Sequence, residues 1–133
     1  MIQRDYIMRM IYMLTDVLLR VFKLKEQKEY DVALDEIGKT IEELFAAEAS
    51  LLKVVDPMTA AQLLGHWQKV KILATLYREQ GEIYAQQQNI QAALAKLEQS
   101  AVLYGEAVKL KGVPDNECSE AQNSITELIS QLN

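Results

Sequence analysis

A long apolar segment near the N-terminus dominates the pattern of hydrophobic and polar positions. Residues 6–22, YIMRMIYMLTDVLLRVF, place their charges in one narrow wedge of a helix, with apolar side chains over most of the circumference. An ordinary surface helix needs an apolar stripe only about a third of the way round. The pattern therefore predicts a first helix over about residues 3–25 that is either the buried spine of the domain or part of a homodimer seam. We favour the seam, with Met8, Tyr12 and Leu19 as a possible self-association face, because apolar patches that a monomer leaves uncovered mark contacts.

Periodic apolar positions predict further helices over about residues 30–45, 57–65, 67–85 and 90–111, and a last helix from Asp115 or Asn116. Asp56-Pro57 is typical of a helix start, with an acid at the N-cap and proline at the first helical position. Thr59-x-x-Gln62 offers a competing capping box, and residues 49–57 are otherwise a break. The chain has only five glycines and two prolines. These features predict an all-α fold of five or six helices in antiparallel hairpins, as a single domain over residues 1–133.

One helical pair resembles a tetratricopeptide repeat (TPR). In that pattern a large residue opens helix A, Gly and Tyr follow three residues apart, and small residues mark the crossing of helix B. The matching positions are Tyr77, Gly81, Tyr84, Ala93, Leu97 and Ser100. A weaker copy lies 60 residues earlier, where Ala33 matches Ala93, but Val21 and Leu24 replace the glycine and the tyrosine. The resemblance implies a TPR-like right-handed superhelix with a C-terminal capping helix.

The opening MIQRDYIMRMIYML, followed by K-E-x-x-x-Y-x-x-A-L-x-E-I at residues 25–37, is similar to a small family of Gram-positive bacterial proteins. That resemblance implies the same helical fold and carries no activity. TPR proteins usually bind peptides along the face lined by helix A, and one version grips a C-terminal carboxylate with Lys and Asn. This chain has Arg78 and Glu82 at the matching places, which puts that activity in doubt. Lys71, Arg78 and Glu82 are our possible partner-groove contacts; the alternative is a solvated helix face with an Arg78–Glu82 i,i+4 pair.

Charge and cysteine content narrow the function classes. The net charge of −5 disfavours nucleic acid as a partner. Residues 1–28 carry six basic and three acidic side chains, or +3, whereas residues 29–48 carry one basic and seven acidic, or −6; we expect mutual attraction or solvation, with a phosphate-binding patch as the alternative. Arg9 and Asp16 interrupt the first apolar run, which disfavours a membrane span or a signal peptide. The lone Cys118 suits a reducing compartment, so the expected location is cytoplasmic.

The sequence shows no constellation for catalysis. His66 is the only histidine and is interpreted as a packing or capping residue, and Cys118 as a buried inert thiol. No phosphate loop, dinucleotide fingerprint or nucleophile elbow is present. We therefore predict no cofactor, no metal and no enzyme activity, but a protein–protein interaction or scaffold domain with an unknown protein or peptide partner. The alternative is a regulatory bundle that holds a small ligand between helices near Trp67 and the tyrosines.

Overall fold

The computed structural model describes residues 2–133, with side chains described from Arg4 onward, and these residues form seven α-helices. Their bounds are α1 Ile2–Glu26, α2 Tyr30–Leu44, α3 Ala49–Leu52, α4 Pro57–Leu64, α5 Trp67–Gln86, α6 Ile90–Lys111 and α7 Asn116–Leu132. The all-α prediction is confirmed for this part of the chain, with one helix more than the five or six expected. The addition is α3, a single turn within the predicted break, and four residues are too few to show a periodic pattern.

Local chemistry explains where several helices begin and end. The Asp56 side chain accepts a hydrogen bond from the Thr59 backbone N–H at 2.8 Å, and Pro57 occupies the first turn of α4. Thr59 lies inside α4, so the competing capping box is wrong. Gly65 and Gly112 take left-handed conformations, with φ of 67° and 82°, at the ends of α4 and α6. Asp115 rather than Asn116 caps α7.

Helix α5 occupies the centre of the molecule. It packs most extensively against α6 and also against α1, α2, α4 and α7. Helix α1 packs against α2 and α5 through one face, where Ile7, Met10, Val17 and Val21 are buried. The buried spine is therefore α5, and the interpretation of α1 as that spine is wrong. Helix α7 closes the other end of the array against α6.

The α1–α2 and α5–α6 hairpins bury equivalent positions 60 residues apart. On α2 the buried residues are Ala33, Ile37, Thr40 and Leu44, and on α6 they include Ala93, Leu97, Ser100 and Tyr104. On the first helices, Val17 and Val21 correspond to Tyr77 and Gly81, and all four are buried. The weak sequence correspondence thus coincides with a repeated pattern of packing.

The turns of the two hairpins also repeat the same hydrogen bonds. Glu29 N–H donates to Leu24 O, and 60 residues later Asn89 N–H donates to Tyr84 O, both at 2.9 Å. Lys28 and Gln88, one residue before these donors, both take a left-handed conformation, with φ of 59° and 61°. This bonding is the Schellman arrangement, which satisfies free carbonyl groups at a helix end. A connection of three residues follows each first helix and brings the second helix back antiparallel.

Candidate functional site

A groove follows α5 between α1 and α7. Three hollows of about 540, 310 and 490 Å³ lie along it, and we call them together the α5 groove. The first is lined by α1, α5 and the start of α7, the second by residues of α5, α6 and α7, and the third by α1, α5, Tyr30 and Leu128. The first two share Lys71, Thr75 and Glu117. Helix α5 thus forms the floor, and α1 and α7 form the two walls.

The three predicted groove contacts all lie on this floor. Lys71 borders the first and second hollows, Arg78 the second and Glu82 the third. Their separations of seven and four residues place them on one face of a helix. The structure therefore brings the three side chains to one groove, although each is also ion-paired within the chain. That they bind a partner stays a prediction.

Lys71 belongs to a charge cluster at the N-terminus of α7. Its Nζ lies 3.3 Å from Asp115 Oδ1 and 2.9 Å from Glu117 Oε1. Asp115 is buried, accepts from the Cys118 backbone N–H at 2.9 Å and from Lys111 Nζ at 2.8 Å, and so caps the helix with a neutralised charge. The Lys111 hydrogen bond, with the Cys118 N–H and the Lys71 charge, holds the pKa of Asp115 well below its usual range. Burial alone would lower the pKa of Lys71, but Glu117 and Asp115 outweigh it and raise that pKa.

A second cluster joins α1 to the far part of the groove. Lys25 Nζ lies 3.1 Å from Glu79 Oε1 and 3.7 Å from Glu82 Oε1, and Arg78 Nε lies 3.2 Å from Glu82 Oε2. The predicted Arg78–Glu82 pair is therefore present. Burial, reinforced by the charge of Glu79, raises the pKa of Glu82, and Arg78 and Lys25 offset this only in part. The floor of the groove is thus polar but nearly neutral in sum, because its cations and carboxylates face each other.

The walls of the first two hollows contrast in polarity, a feature that sequence reasoning missed. On the α1 side the first hollow is lined by Ile11, Leu14 and Leu18. On the α7 side the second hollow is lined by Glu117, Glu120 and Ser124. Trp67 closes one end, with Lys111 Nζ 4.5 Å and Lys71 Nζ 5.7 Å from its ring centroid. The only sequence signal for the apolar wall was the wide apolar circumference of α1.

The predicted self-association face lies on the outer side of α1. Tyr12, Leu19 and Met8 retain 65%, 60% and 39% of their accessible surface, and Phe22, which the prediction omitted, retains 57%. All four side chains are exposed in the single chain. An apolar surface of this kind is typical of an interaction face.

A separate cavity of about 380 Å³ opens on the opposite side of α5, and we call it the Lys96 cavity. Its lining includes Gly38 of α2, Ala60 of α4, Tyr77 and Gln80 of α5 and Lys96 of α6. Lys96 Nζ lies 4.2 Å from the centroid of the Tyr77 ring, and burial lowers the pKa of Lys96. Within the described residues, Lys96 forms no ion pair and the buried Gln80 Oε1 has no hydrogen-bond partner.

The two residues with potential chemistry serve structural roles. His66 is the N-cap of α5, and its Nδ1 accepts a hydrogen bond from the Gln68 N–H at 3.1 Å. Burial and the charge of Lys69 lower the pKa of His66, which favours the neutral, accepting form. Cys118 is buried, and burial together with Asp115 raises the pKa of its thiol to about 11. Across the described residues, no cluster of three His, Cys, Asp or Glu side chains is placed to hold a metal ion.

Comparisons of the chain with protein-family models, with curated proteins and with solved structures give no match. Within residues 2–133, none of the helices has the length and apolar character needed to cross a membrane. The surface features that can serve a function are the α5 groove, the Lys96 cavity and the outer face of α1.

Proposed function

We propose that this chain is a non-catalytic protein–protein interaction domain that binds a segment of a partner protein in the α5 groove. The observation that carries the proposal is the pair of adjoining hollows at one end of the groove, with an apolar wall on α1 and a mainly polar wall on α7. A partner segment with alternating apolar and polar faces complements such a channel. Lys71, Arg78 and Glu82 would then orient the segment from the floor.

We further propose that the helices form a TPR-like right-handed superhelix, with α7 as its capping helix. Three features support this arrangement: the two hairpins repeat at 60 residues, their turns share one hydrogen-bond pattern, and α7 packs on the last hairpin. In such arrays the first helix of each pair lines the binding face, which corresponds to α1, α5 and α7 here. The internal pairing of Lys71 and Arg78 argues against capture of a free C-terminal carboxylate, which needs unpaired donors.

A bulky side chain that blocks the α5 groove tests the proposal that a partner binds there. Ser124→Trp adds a large ring to an exposed position on the α7 wall, whereas Ser130→Trp adds the same ring at an exposed position of α7 outside the three hollows. Proteins that the parent chain recovers from a lysate of its source cell, identified by mass spectrometry, are expected to be lost with Ser124→Trp and retained with Ser130→Trp. Equal recovery by all three chains would show that the groove is not the binding site.

The second candidate function is that of a small-ligand-binding regulatory bundle, and the Lys96 cavity favours it. A half-buried ammonium without a carboxylate attracts an anion, and a buried amide oxygen without a donor suits an N–H or O–H group. The matching ligand is a small hydroxy- or amino-carboxylate. A thermal-shift screen with such acids is expected to raise the melting temperature of the parent and not of Lys96→Gln, with Lys109→Gln as the exposed control. If no acid stabilises the parent selectively over Lys96→Gln, this candidate fails.

The expected cellular setting belongs to the same proposal. A single buried thiol and an acidic chain suit a cytoplasmic protein that binds neither nucleic acid nor membrane. Fractionation of the source cell checks the cytoplasmic location. Salt-dependent binding to DNA or to anionic vesicles would contradict the proposal that the protein binds neither nucleic acid nor membrane.

A further inference from the structure

The outer face of α1 is apolar at a place where a helical array is normally closed by polar residues. The terminal elements of repeat proteins need a polar outer surface to stay soluble. Helix α7 meets this requirement, since its exposed side chains are all polar: Asn116, Glu117, Ser119, Glu120, Asn123, Ser124, Thr126, Glu127, Ser130 and Gln131. Helix α1, at the other end, instead exposes Met8, Tyr12, Leu19 and Phe22. The array is therefore capped at one end and open at the other.

The exposed residues follow the spacing of a coiled coil. Positions 8, 12, 15, 19 and 22 are separated alternately by four and three residues, which is the spacing of the a and d positions of a heptad. We call Met8, Tyr12, Thr15, Leu19 and Phe22 the α1 seam. The Thr15 hydroxyl donates to Ile11 O within the helix at 3.0 Å, so this residue can be covered without losing a hydrogen bond. The α1 seam thus has the geometry that fits another helix.

We propose that the helix covering the α1 seam is α1 of a second copy of this chain, packed antiparallel. In that arrangement a residues face d residues, so Met8 of one copy lies against Leu19 of the other, and Tyr12 against Thr15. The residues on the two edges of the α1 seam are then complementary as well. Arg9 faces Asp16 of the second copy on one edge, and Ile11 faces Leu18 on the other edge, each contact occurring twice by symmetry.

Charge complementarity selects this orientation and register. Arg9 and Asp16 are exposed, and within the described residues neither forms an ion pair. A parallel pair in register would set Asp16 against Ile11 and Lys23 against Leu18, and would stack Asp5 on Asp5. Shifting the antiparallel pair by one heptad in one direction would place Asp16 opposite Asp16 of the second copy. Shifting it by one heptad in the other direction would place Arg9 opposite Arg9. The proposed register therefore pairs opposite charges on one edge and places Met8 against Leu19, while Phe22 of each copy lies opposite the exposed Asp5 at the ends of the contact.

This contact lies beside the α5 groove and shares part of its α1 wall. Thr15 and Phe22 of the seam and the flanking Ile11 and Leu18 also line hollows of the groove, whereas Met8, Tyr12 and Leu19 line none of the three. The seam covers 14 residue steps, which is about 21 Å of helix. A contact of that length lies at the small end of specific interfaces, so we expect a reversible dimer with a dissociation constant of the order of 10 to 100 µM.

Sedimentation equilibrium of the full chain tests the proposal. Asp16→Arg sets a second guanidinium against Arg9 of the other copy and is expected to weaken the dimer about tenfold, and Arg9→Asp, which opposes two carboxylates, should do the same. The double variant Arg9→Asp with Asp16→Arg swaps both charges and is expected to restore the parent affinity to within a few-fold. Glu43→Arg changes the net charge as Asp16→Arg does, but at an exposed position of α2, and should leave the dimer unchanged.

Circular dichroism and thermal unfolding of each variant check that the fold is kept. The proposal is overturned if the folded parent stays monomeric at about 1 mM, well above the expected dissociation constant. It is also overturned if Asp16→Arg associates like the parent, or if the double variant stays as weak as the single ones. Restoration by the double variant supports the antiparallel pairing, because no parallel in-register pair brings positions 9 and 16 together.

Discussion

Two glycines within helices differ in what a missing Cβ makes possible. A Cβ built on Gly81 would lie 2.7 Å from both Cγ and Cδ2 of Leu97 and 3.3 Å from the Leu97 backbone nitrogen. A Cβ on Gly38 would meet no heavy atom within 4 Å. Gly81 therefore lets α5 and α6 approach closely, whereas Gly38 is a tolerated residue that weakens its helix.

We predict opposite effects for the same substitution at these two glycines. Gly81→Ala gains helix propensity but forces α6 away from α5, and should lower the free energy of unfolding by roughly 1–2 kcal/mol. Gly38→Ala gains propensity without a clash and should raise it by roughly 0.5–1 kcal/mol. Urea unfolding at one pH measures both. A Gly81→Ala variant as stable as the parent would contradict the close approach.

The buried carboxylate of Asp115 leads to a prediction about pH. Its pKa in the folded state is depressed below the ordinary 3.8, so its charged form stabilises the fold fully above that pH, and this contribution declines as the pH falls from there through the depressed folded-state pKa. Asp115→Asn keeps an N-cap acceptor for the Cys118 N–H but removes the charge that faces Lys111 and Lys71. At pH 7 we expect the free energy of unfolding of Asp115→Asn to be about 2 kcal/mol lower than that of the parent. This difference in stability should become smaller below about pH 4.

Urea unfolding of both chains at pH 7, 5 and 3 provides the measurement. Asp35→Asn is the matched control, because Asp35 is exposed and pairs only with the exposed Lys39 at 3.0 Å. That variant should keep the unfolding midpoint of the parent across the range. A difference between Asp115→Asn and the parent that does not change with pH would show that the charge of Asp115 is unimportant.

At the scale of elements, the two hairpin turns carry a common strain. Lys28 and Gln88 adopt the left-handed conformation, which places the Cβ of an L-residue too close to the backbone. Glycine is the usual residue at this point of a Schellman turn because it has no Cβ. Neither turn has one, so the sequence of residues 26–29 and 86–89 does not reveal the type of turn that it forms.

Glycine in either turn is expected to stabilise the protein. Lys28→Gly and Gln88→Gly remove the steric cost of the left-handed conformation, which stabilises the folded state, but they also raise the entropy of the unfolded state, which opposes folding. The net expected change is an increase of roughly 0.5 kcal/mol in the free energy of unfolding for each variant. Gln86→Gly lies two residues before Gln88, at the exposed last position of α5, and should instead lower the free energy of unfolding by a similar amount. Thermal unfolding monitored by circular dichroism measures all three. Destabilisation by both turn variants would argue against the left-handed conformation.

The elements whose ends are set by local chemistry were the predictable ones. Asp56-Pro57, Gly65 and Gly112 mark helix ends in sequence and in structure, because caps depend on a few neighbouring residues. Helix α3 was missed, since a single turn held by its surroundings carries no periodic pattern. Asp115 was one of two candidate caps, and only the geometry of α7 distinguishes it from Asn116.

At the scale of the whole molecule, the candidate site was predictable only in part. The spacing of Lys71, Arg78 and Glu82 was enough to place them on one face of α5. Their surroundings depend on contacts between distant segments: Lys25 reaches Glu79 across 54 residues, and Lys71 reaches Glu117 across 46. Such contacts follow from how α1 and α7 pack on α5, which no periodicity within one helix reveals. The same packing decides which flank of α1 is buried and which is left exposed.

The central position of α5 predicts a graded pattern of local stability. Helices α5 and α6 hold most of the fully buried residues and pack on each other along their length, whereas α1 is covered on one face only. Amide protons in the middle of α5 and α6 should therefore exchange only by global unfolding, while those of α3 and of the first turns of α1 exchange by local opening. Native-state hydrogen exchange at low denaturant measures this order.

Varying the protein concentration separates the amide protection that a single chain provides from the protection that a second copy adds. If α1 pairs with α1 of another chain, protection of residues 8–22 rises with protein concentration, because only the dimer covers that face. Protection of α5 relative to global unfolding does not change, since α5 is already packed on several sides within one chain. The Asp16→Arg variant should show the low α1 protection at every concentration. Exchange in α1 that is as slow as in α5 in dilute solution would instead show that one chain is enough to stabilise α1.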